Sequence, residues 1–402
     1  MFLILMASLL QQPLSPVVTL APVKPQYPSA VGGKTLAEWL KVLNDSKDAA
    51  VREMAVKAIP AFGPAARDPS IKPLVKACRE DGDPGVRVNA ILTLGAVGAN
   101  NKDEAKIIID ALRIAIANAS PGGIVRLHAA RAIGNYGMYP EQANDAIFTL
   151  RDIAKDLSWE TRKTVAFALG RIGGPTKDKP KPDPNPLPLG SPPPIVDPKT
   201  GPEISALKVL QGMLGDSSAT VRLEVVESLV LLGPPAVSSD QYSATISPYM
   251  TAIQDRMKIE KEKGVTIWLH VLQMRYDGNS FNEQTMNKIV EMGRSAEAES
   301  TVQALTALSL LGEKAHVPAI PFARDMLAHT EPYVVATAAN YLAGTGIASK
   351  VALPQLEAVK KVKENEKKES RDEMLIAALA RAIDSAKGIV PAMPPALPVP
   401  KK

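Results

Sequence analysis

Apolar residues recur along this 402-residue chain at intervals of three, four and seven, each group set behind a fixed pair of anchors. Arg52 is followed eleven residues later by Gly63, and Arg87 by Gly98 in the same way. Arg126 and Gly137, Arg162 and Gly173, and Arg222 and Gly233 repeat that spacing of eleven. Thr301 to Gly312 and Val335 to Gly346 keep the spacing of eleven without the arginine. Third after each anchor stand Ala55, Ala90, Ala129, Val165, Val225, Ala304 and Ala338. Seventh stand Ile59, Leu94, Ile133, Leu169, Leu229, Leu308 and Leu342. Offsets of three, four and seven trace one buried face of a helix. The segments ahead of the anchors carry the same periodicity, at 36–44, 71–80, 105–118, 146–157 and 204–214. Each unit therefore reads as helix, short turn, helix and a glycine stop.

Consecutive anchors lie 35, 39 and 36 residues apart over the first four units. A period of this size with two helices per unit predicts an all-α fold, an α-solenoid (α/α superhelix) of about nine stacked helix pairs. The turns fit. Asp83 is suited to capping the free N–H groups of the helix that follows, and Pro84 to its first position. Asp48, and Asp216 with Ser217, read as the same device. Gly63, Gly98 and their equivalents read as left-handed helix stops.

Units of the form D-x-x-V-R-x-x-A-x-x-A-I/L-x-x-h-G resemble HEAT repeats, and most of all the short bacterial kind of the phycobilisome lyases. The stretches DAAVREMAVKAIPAFG (48–63), DPGVRVNAILTLGAVG (83–98) and WETRKTVAFALGRIGG (159–174) carry the resemblance. It spans roughly residues 34–385, with the pattern degenerate at 265–278 and around Arg371 to Asp384. It implies an armadillo/HEAT-like stack in which Arg52, Arg87, Arg126, Arg162 and Arg222 are structural anchors. The resemblance also implies that each arginine pairs with a turn aspartate of an adjacent repeat, with Asp48, Asp83 and Asp216 as suitable partners.

The organisation expected is a leader over 1–33, a first array of four pairs over 34–174, an inserted loop over 175–202, a second array of about five pairs over 203–385 and a tail over 386–402. The insert holds eleven prolines in twenty-eight residues, which excludes helix and central strand. It reads as a solvated surface insertion, with docking to a polyproline-binding partner as the alternative. The Pro-rich tail reads as disordered, and the charge run at 359–373 as a solvated helix end. MFLILMASLL at the N-terminus is too short to span a membrane and resembles the apolar core of a signal peptide. No Lys or Arg precedes Lys24. Export to a periplasm is the expectation, with a cytoplasmic chain as the alternative.

Composition narrows the chemistry. With 46% hydrophobic but only 4% aromatic residues, the core is small and aliphatic, which suits close helix packing. The net charge of +5 arises from 47 basic and 42 acidic residues, too slight an excess to predict nucleic-acid binding. The single cysteine, Cys78, excludes an internal disulfide and reads as core packing. The stretch 28–35 ends in Gly33-Lys34-Thr35 like a phosphate loop, but Pro28 stands where the first glycine belongs. Thr35 with Glu38 reads instead as a capping box. None of His128, His270, His316 and His329 forms a helical zinc pair, and no G-x-S-x-G elbow occurs. No catalytic, metal or cofactor residues are expected, and no small-molecule substrate is evident.

The working surface expected is the exposed face of the second helices. His128, Arg131 and Asn135 share one face at spacings of three and four, and Lys163 and Arg171 follow in the next unit. These five are the candidate partner-binding residues. The reading is a non-catalytic scaffold, expected as a monomer, that holds a protein or peptide on its concave face. The alternatives are a chromophore-lyase-like accessory subunit and a nucleic-acid-binding solenoid, the latter weakened by Glu224 and Glu227 beside the basic positions.

Overall fold

The computed structural model describes residues 27–173, 204–235, 239–366 and 371–389. The expected signal segment, the whole Pro-rich insert and most of the tail lie outside these residues. Among the described residues the secondary structure is helical, apart from one isolated bridge between Val31 and Lys34.

Nine helix pairs follow one another among the described residues. They are α1 (Leu36–Asp45) with α2 (Ala49–Ala58), α3 (Arg67–Glu80) with α4 (Pro84–Val97), and α5 (Lys102–Asn118) with α6 (Ile124–Gly134). A short α7 (Pro140–Ala143) precedes α8 (Asp145–Asp152), which pairs with α9 (Trp159–Ile172). Then come α10 (Ile204–Met213) with α11 (Ala219–Leu232), α12 (Ser239–Ile259) with α13 (Lys263–Tyr276), and α14 (Glu283–Gly293) with α15 (Ala298–Ser309). The series ends with α16 (His316–Met326) and α17 (Pro332–Gly344), then α18 (Leu353–Glu364) and α19 (Glu373–Ala386). The second helices, from α2 through α19, pack in order as one layer, and the first helices form the other. The third and seventh positions after each anchor lie between the layers and are fully or almost fully buried.

Local chemistry sets the helix ends. The capping box is present: Thr35 Oγ1 accepts from Glu38 N at 3.4 Å while Glu38 Oε2 accepts from Thr35 N at 2.8 Å. Asp48 Oδ1 accepts from Ala50 N at 2.9 Å, and Asp83 Oδ1 from Gly85 N at 2.8 Å, each relieving an orphan donor of the first turn. At Gly98, φ is 68° with ψ −165°, a conformation closed to side chains. Gly137 and Gly173 are not of that kind. There a Cβ would run into the Arg171 carbonyl and the Ala206 side chain of the next unit, so close approach, not handedness, requires glycine. The single helix expected over 146–157 is also corrected. Beyond Asp152 the chain turns through short-range bonds, Ile153 N to Leu150 O and Ala154 N to Arg151 O, which frees Asp156 for another task.

That task is a ladder of ion pairs along the turn edge. Arg52 Nε and Nη2 each donate at 2.7 Å to the carboxylate of Asp81, one unit on. Arg126 Nη1 donates to Asp156 at 2.9 Å, Arg162 to Asp216 at 2.7 and 3.0 Å, and Arg222 to Glu260 at 2.8 Å twice. The expected partners Asp48 and Asp83 are thereby corrected, because their carboxylates are committed to their own helix ends. Asp216 is the converse: it serves the ladder, and Ser218 occupies the cap position of α11. Each ladder acid also accepts from the backbone N–H two residues on, so one carboxylate shapes its own turn and ties it to the previous unit. Arg87 holds the carbonyls of Asp81 and Gly82 at 2.7 and 3.2 Å. No carboxylate among the described residues stands within ion-pair distance of it. The position six before Arg126, where the other rungs have an acid, is Ser120.

Candidate functional site

The layer of second helices is drawn tight by small residues. Gly134 of α6 lies under Phe167 and Ala168 of α9, and Gly170 of α9 lies against Ser228 of α11. Ser228 Oγ donates to the Ala166 carbonyl at 2.9 Å, so a side chain of α11 is bonded to the backbone of α9. Among the first helices, α5, α8 and α10 meet more sparsely than their partners α6, α9 and α11 do.

On the second-helix face α6 and α9 bring two of the candidate residues, Arg131 and Arg171, together on Phe167. The Arg171 guanidinium lies 4.4 Å from the ring centre, within its own helix, and that of Arg131 lies 5.6 Å away from the neighbouring one. Both distances suit cation–π attraction. Arg131, Asn135 and Arg171 are exposed, whereas His128 and Lys163 are half-buried. Asn135 Nδ2 reaches back to the Gly95 carbonyl at 3.3 Å. His128 is placed differently from the arginines. Its Nδ1 is buried with no hydrogen-bond partner among the described residues, and burial followed by the Arg131 charge lowers its basicity.

Two residues that sequence reasoning treated only as a counterweight complete the arrangement. Glu224 stands 4.0 Å from Lys163 Nζ, and Glu227 follows one turn later on α11. Burial raises both carboxyls, and burial plus the adjacent Glu224 pushes Glu227 to about 7. Phe167 stands five residues after the Arg162 anchor. Its role depends on the offset between α6 and α9, which sequence spacing does not contain. Met54, Leu92, Leu231 and Leu310 project from other second helices as exposed apolar residues. The face thus alternates arginines, one aromatic ring, carboxylates and large apolar side chains. Cys78, by contrast, is fully buried, and burial pushes its thiol to about 12, which leaves it a packing residue.

Layered helix pairs, an arginine ladder and a tight inner layer define an α-solenoid of the HEAT/armadillo class. Residues 36–115 match the family model of HEAT repeats. No curated protein matches the sequence. Among solved structures the chain is similar to Kap121p bound to Nup53p, with 14% identity, 86% of this chain and 36% of that chain covered, and a TM-score of 0.50. It is also similar to the complex of CpcE and CpcF of phycocyanin lyase from a Nostoc species, with 14% identity, 91% and 100% covered, and a TM-score of 0.40. A third is YibA of Escherichia coli, with 14% identity, 87% and 92% covered, and a TM-score of 0.40. Among the described residues no helix is long and apolar enough to cross a membrane.

Proposed function

We propose that this chain is a non-catalytic scaffold that holds a protein or peptide segment against its inner, second-helix face. The observation that carries the reading is the Arg131–Phe167–Arg171 stack beside the Lys163–Glu224 pair. Arginine, aromatic and large apolar residues interleaved on a curved surface have the composition of a protein interface. The half-buried carboxylates of Glu224 and Glu227 oppose a polyphosphate backbone and suit a basic side chain of a peptide. Phe167 and the exposed Leu92 and Leu231 offer anchorage for apolar side chains on either side.

Site-specific photocrosslinking tests this. A photoreactive residue at Leu92 or Leu231 should capture the same protein, and capture should fail in the Arg131→Glu, Arg171→Glu chain. The same probe at Ile107, exposed on the first-helix layer, should capture nothing in common with them. Equal capture from both layers would contradict the reading.

A further inference from the structure

The fourth and fifth units part on their outer side. Helices α9 and α11 are closely packed, but their partners α8 and α10 meet at only a few points. Helix α8 stops at Asp152, and the chain beyond it turns back through Ile153 and Ala154 to Asp156. A cleft of about 670 Å³ results, within the range of roughly 300–1,000 Å³ typical of small-molecule sites.

The lining is asymmetric in charge. Arg151, Lys155, Arg162 and Lys208 face two carboxylates, Asp156 and Asp216. Both carboxylates are spent on ladder arginines, Asp156 on Arg126 and Asp216 on Arg162. Lys155 and Lys208 have no ion-pair partner among the described residues, and Arg151 pairs with the exposed Asp152 at 3.0 Å and lies 5.4 Å from the centre of the Phe148 ring. Beneath these cations lies an apolar floor of Ala154, Val209 and Met213.

Gly212 supplies a separate observation. It is the penultimate residue of α10. Its φ is outside the positive range, and a Cβ built on it meets nothing within 4 Å. Neither backbone handedness nor packing requires glycine there, unlike Gly134 and Gly170. A side chain at this position would project into the cleft that Gly212 lines.

We propose that the cleft between α8 and α10 is a ligand site for a small organic anion with an apolar body, such as an aryl or alkyl carboxylate, sulfonate or phosphate ester. Lys155, Lys208 and Arg151 take the anionic group, Val209 and Met213 take the body, and Gly212 keeps the space open. This site is on the outer layer and is independent of the inner-face reading above.

The test uses the full chain and anilinonaphthalene sulfonate, a fluorescent aryl sulfonate. Saturable one-site binding is expected in the wild type. The Lys155→Gln, Lys208→Gln chain should bind at least about tenfold more weakly with an unchanged melting temperature, since both lysines are exposed. Gly212→Leu should abolish binding while leaving the melting temperature equal or higher, so loss of the site is separated from loss of the fold. Absence of saturable binding in the wild type, or binding unchanged in either variant, overturns the proposal.

Discussion

Arg162 grips Asp216 through two hydrogen bonds of 2.7 and 3.0 Å across fifty-four residues of chain. The corresponding rungs Arg52–Asp81 and Arg126–Asp156 span only twenty-nine and thirty residues. The extra length is the Pro-rich insert, and the rung shows that the stack resumes its register on the far side of it. Burial alone would raise the Asp216 carboxyl. The Arg162 guanidinium and the Ser218 N–H overcome that and hold it below the usual range. Arg162→Ala would leave that carboxylate half-buried and unpaired, a loss of about 3 kcal/mol. In a repeat array such damage stays local. Hydrogen exchange should therefore quicken in α8 to α11 and not in α15 to α19.

Ser120 stands where the ladder calls for an acid opposite Arg87. Ser120→Asp should add the missing rung and raise the melting temperature by an amount equivalent to about 0.5–1 kcal/mol, while Ser120→Ala should change little. A melting temperature that stays the same or falls in the aspartate variant would show that Arg87 cannot reach across.

Acid should act on the ladder. Hydrogen bonds from Arg52 lower the Asp81 carboxyl, and Glu260 is held at about 2 because Arg222, the Glu262 N–H and Arg256 outweigh its burial. A depressed folded value contributes stability that is complete above the unfolded value near 4 and is lost as pH falls through the folded one. Melting temperature should drop steeply between about pH 4 and pH 2, and Glu260→Gln should flatten part of that drop.

Glu227 works in the opposite sense. Its carboxyl is pushed up to about 7, so its contribution is present below the unfolded value near 4.3 and is lost as pH rises through neutrality. Glu227→Gln should raise the melting temperature at pH 8 and leave it nearly unchanged at pH 4, measured by circular dichroism.

Gly170→Ala would place a methyl group 2.5 Å from Ser228 Oγ and 3.0 Å from its Cα. The inner layer has no room for it, so a loss of about 2 kcal/mol is expected despite the better helix propensity of alanine. A neutral or stabilising outcome in a urea melt would contradict the close approach of α9 and α11.

The repeat was legible because the burial period and the anchors are local properties of the sequence. Every third and seventh position after an anchor is buried, from Ala55 to Leu342. Of the three expected ladder acids Asp216 serves the ladder, and Asp48 and Asp83 do not, for a physical reason. Asp48 and Asp83 lie four residues before their arginines, ideal for caps, and caps are what they are. The ladder acids Asp81, Asp156, Asp216 and Glu260 lie six residues before the next anchor position, and Ser46 takes that place in the first unit, which has no earlier arginine to serve. That offset is readable in the sequence once an arginine is required to look forward by one unit. The Phe167 stack and the cleft between α8 and α10 depend instead on how neighbouring helices are offset and how far apart they stand, which no spacing along one chain specifies.

The inner-face reading is tested most directly by the affinity of the crosslinked partner for two variants of equal fold content. Arg131→Ala with Arg171→Ala should weaken binding at least about tenfold, since paired arginines on an aromatic are typical centres of binding energy. Arg222→Ala, which breaks a ladder rung on the turn edge, should lower stability and leave the affinity of the folded fraction unchanged. Undiminished binding in the Arg131 and Arg171 variant, or a greater loss in the Arg222 variant, would contradict the account.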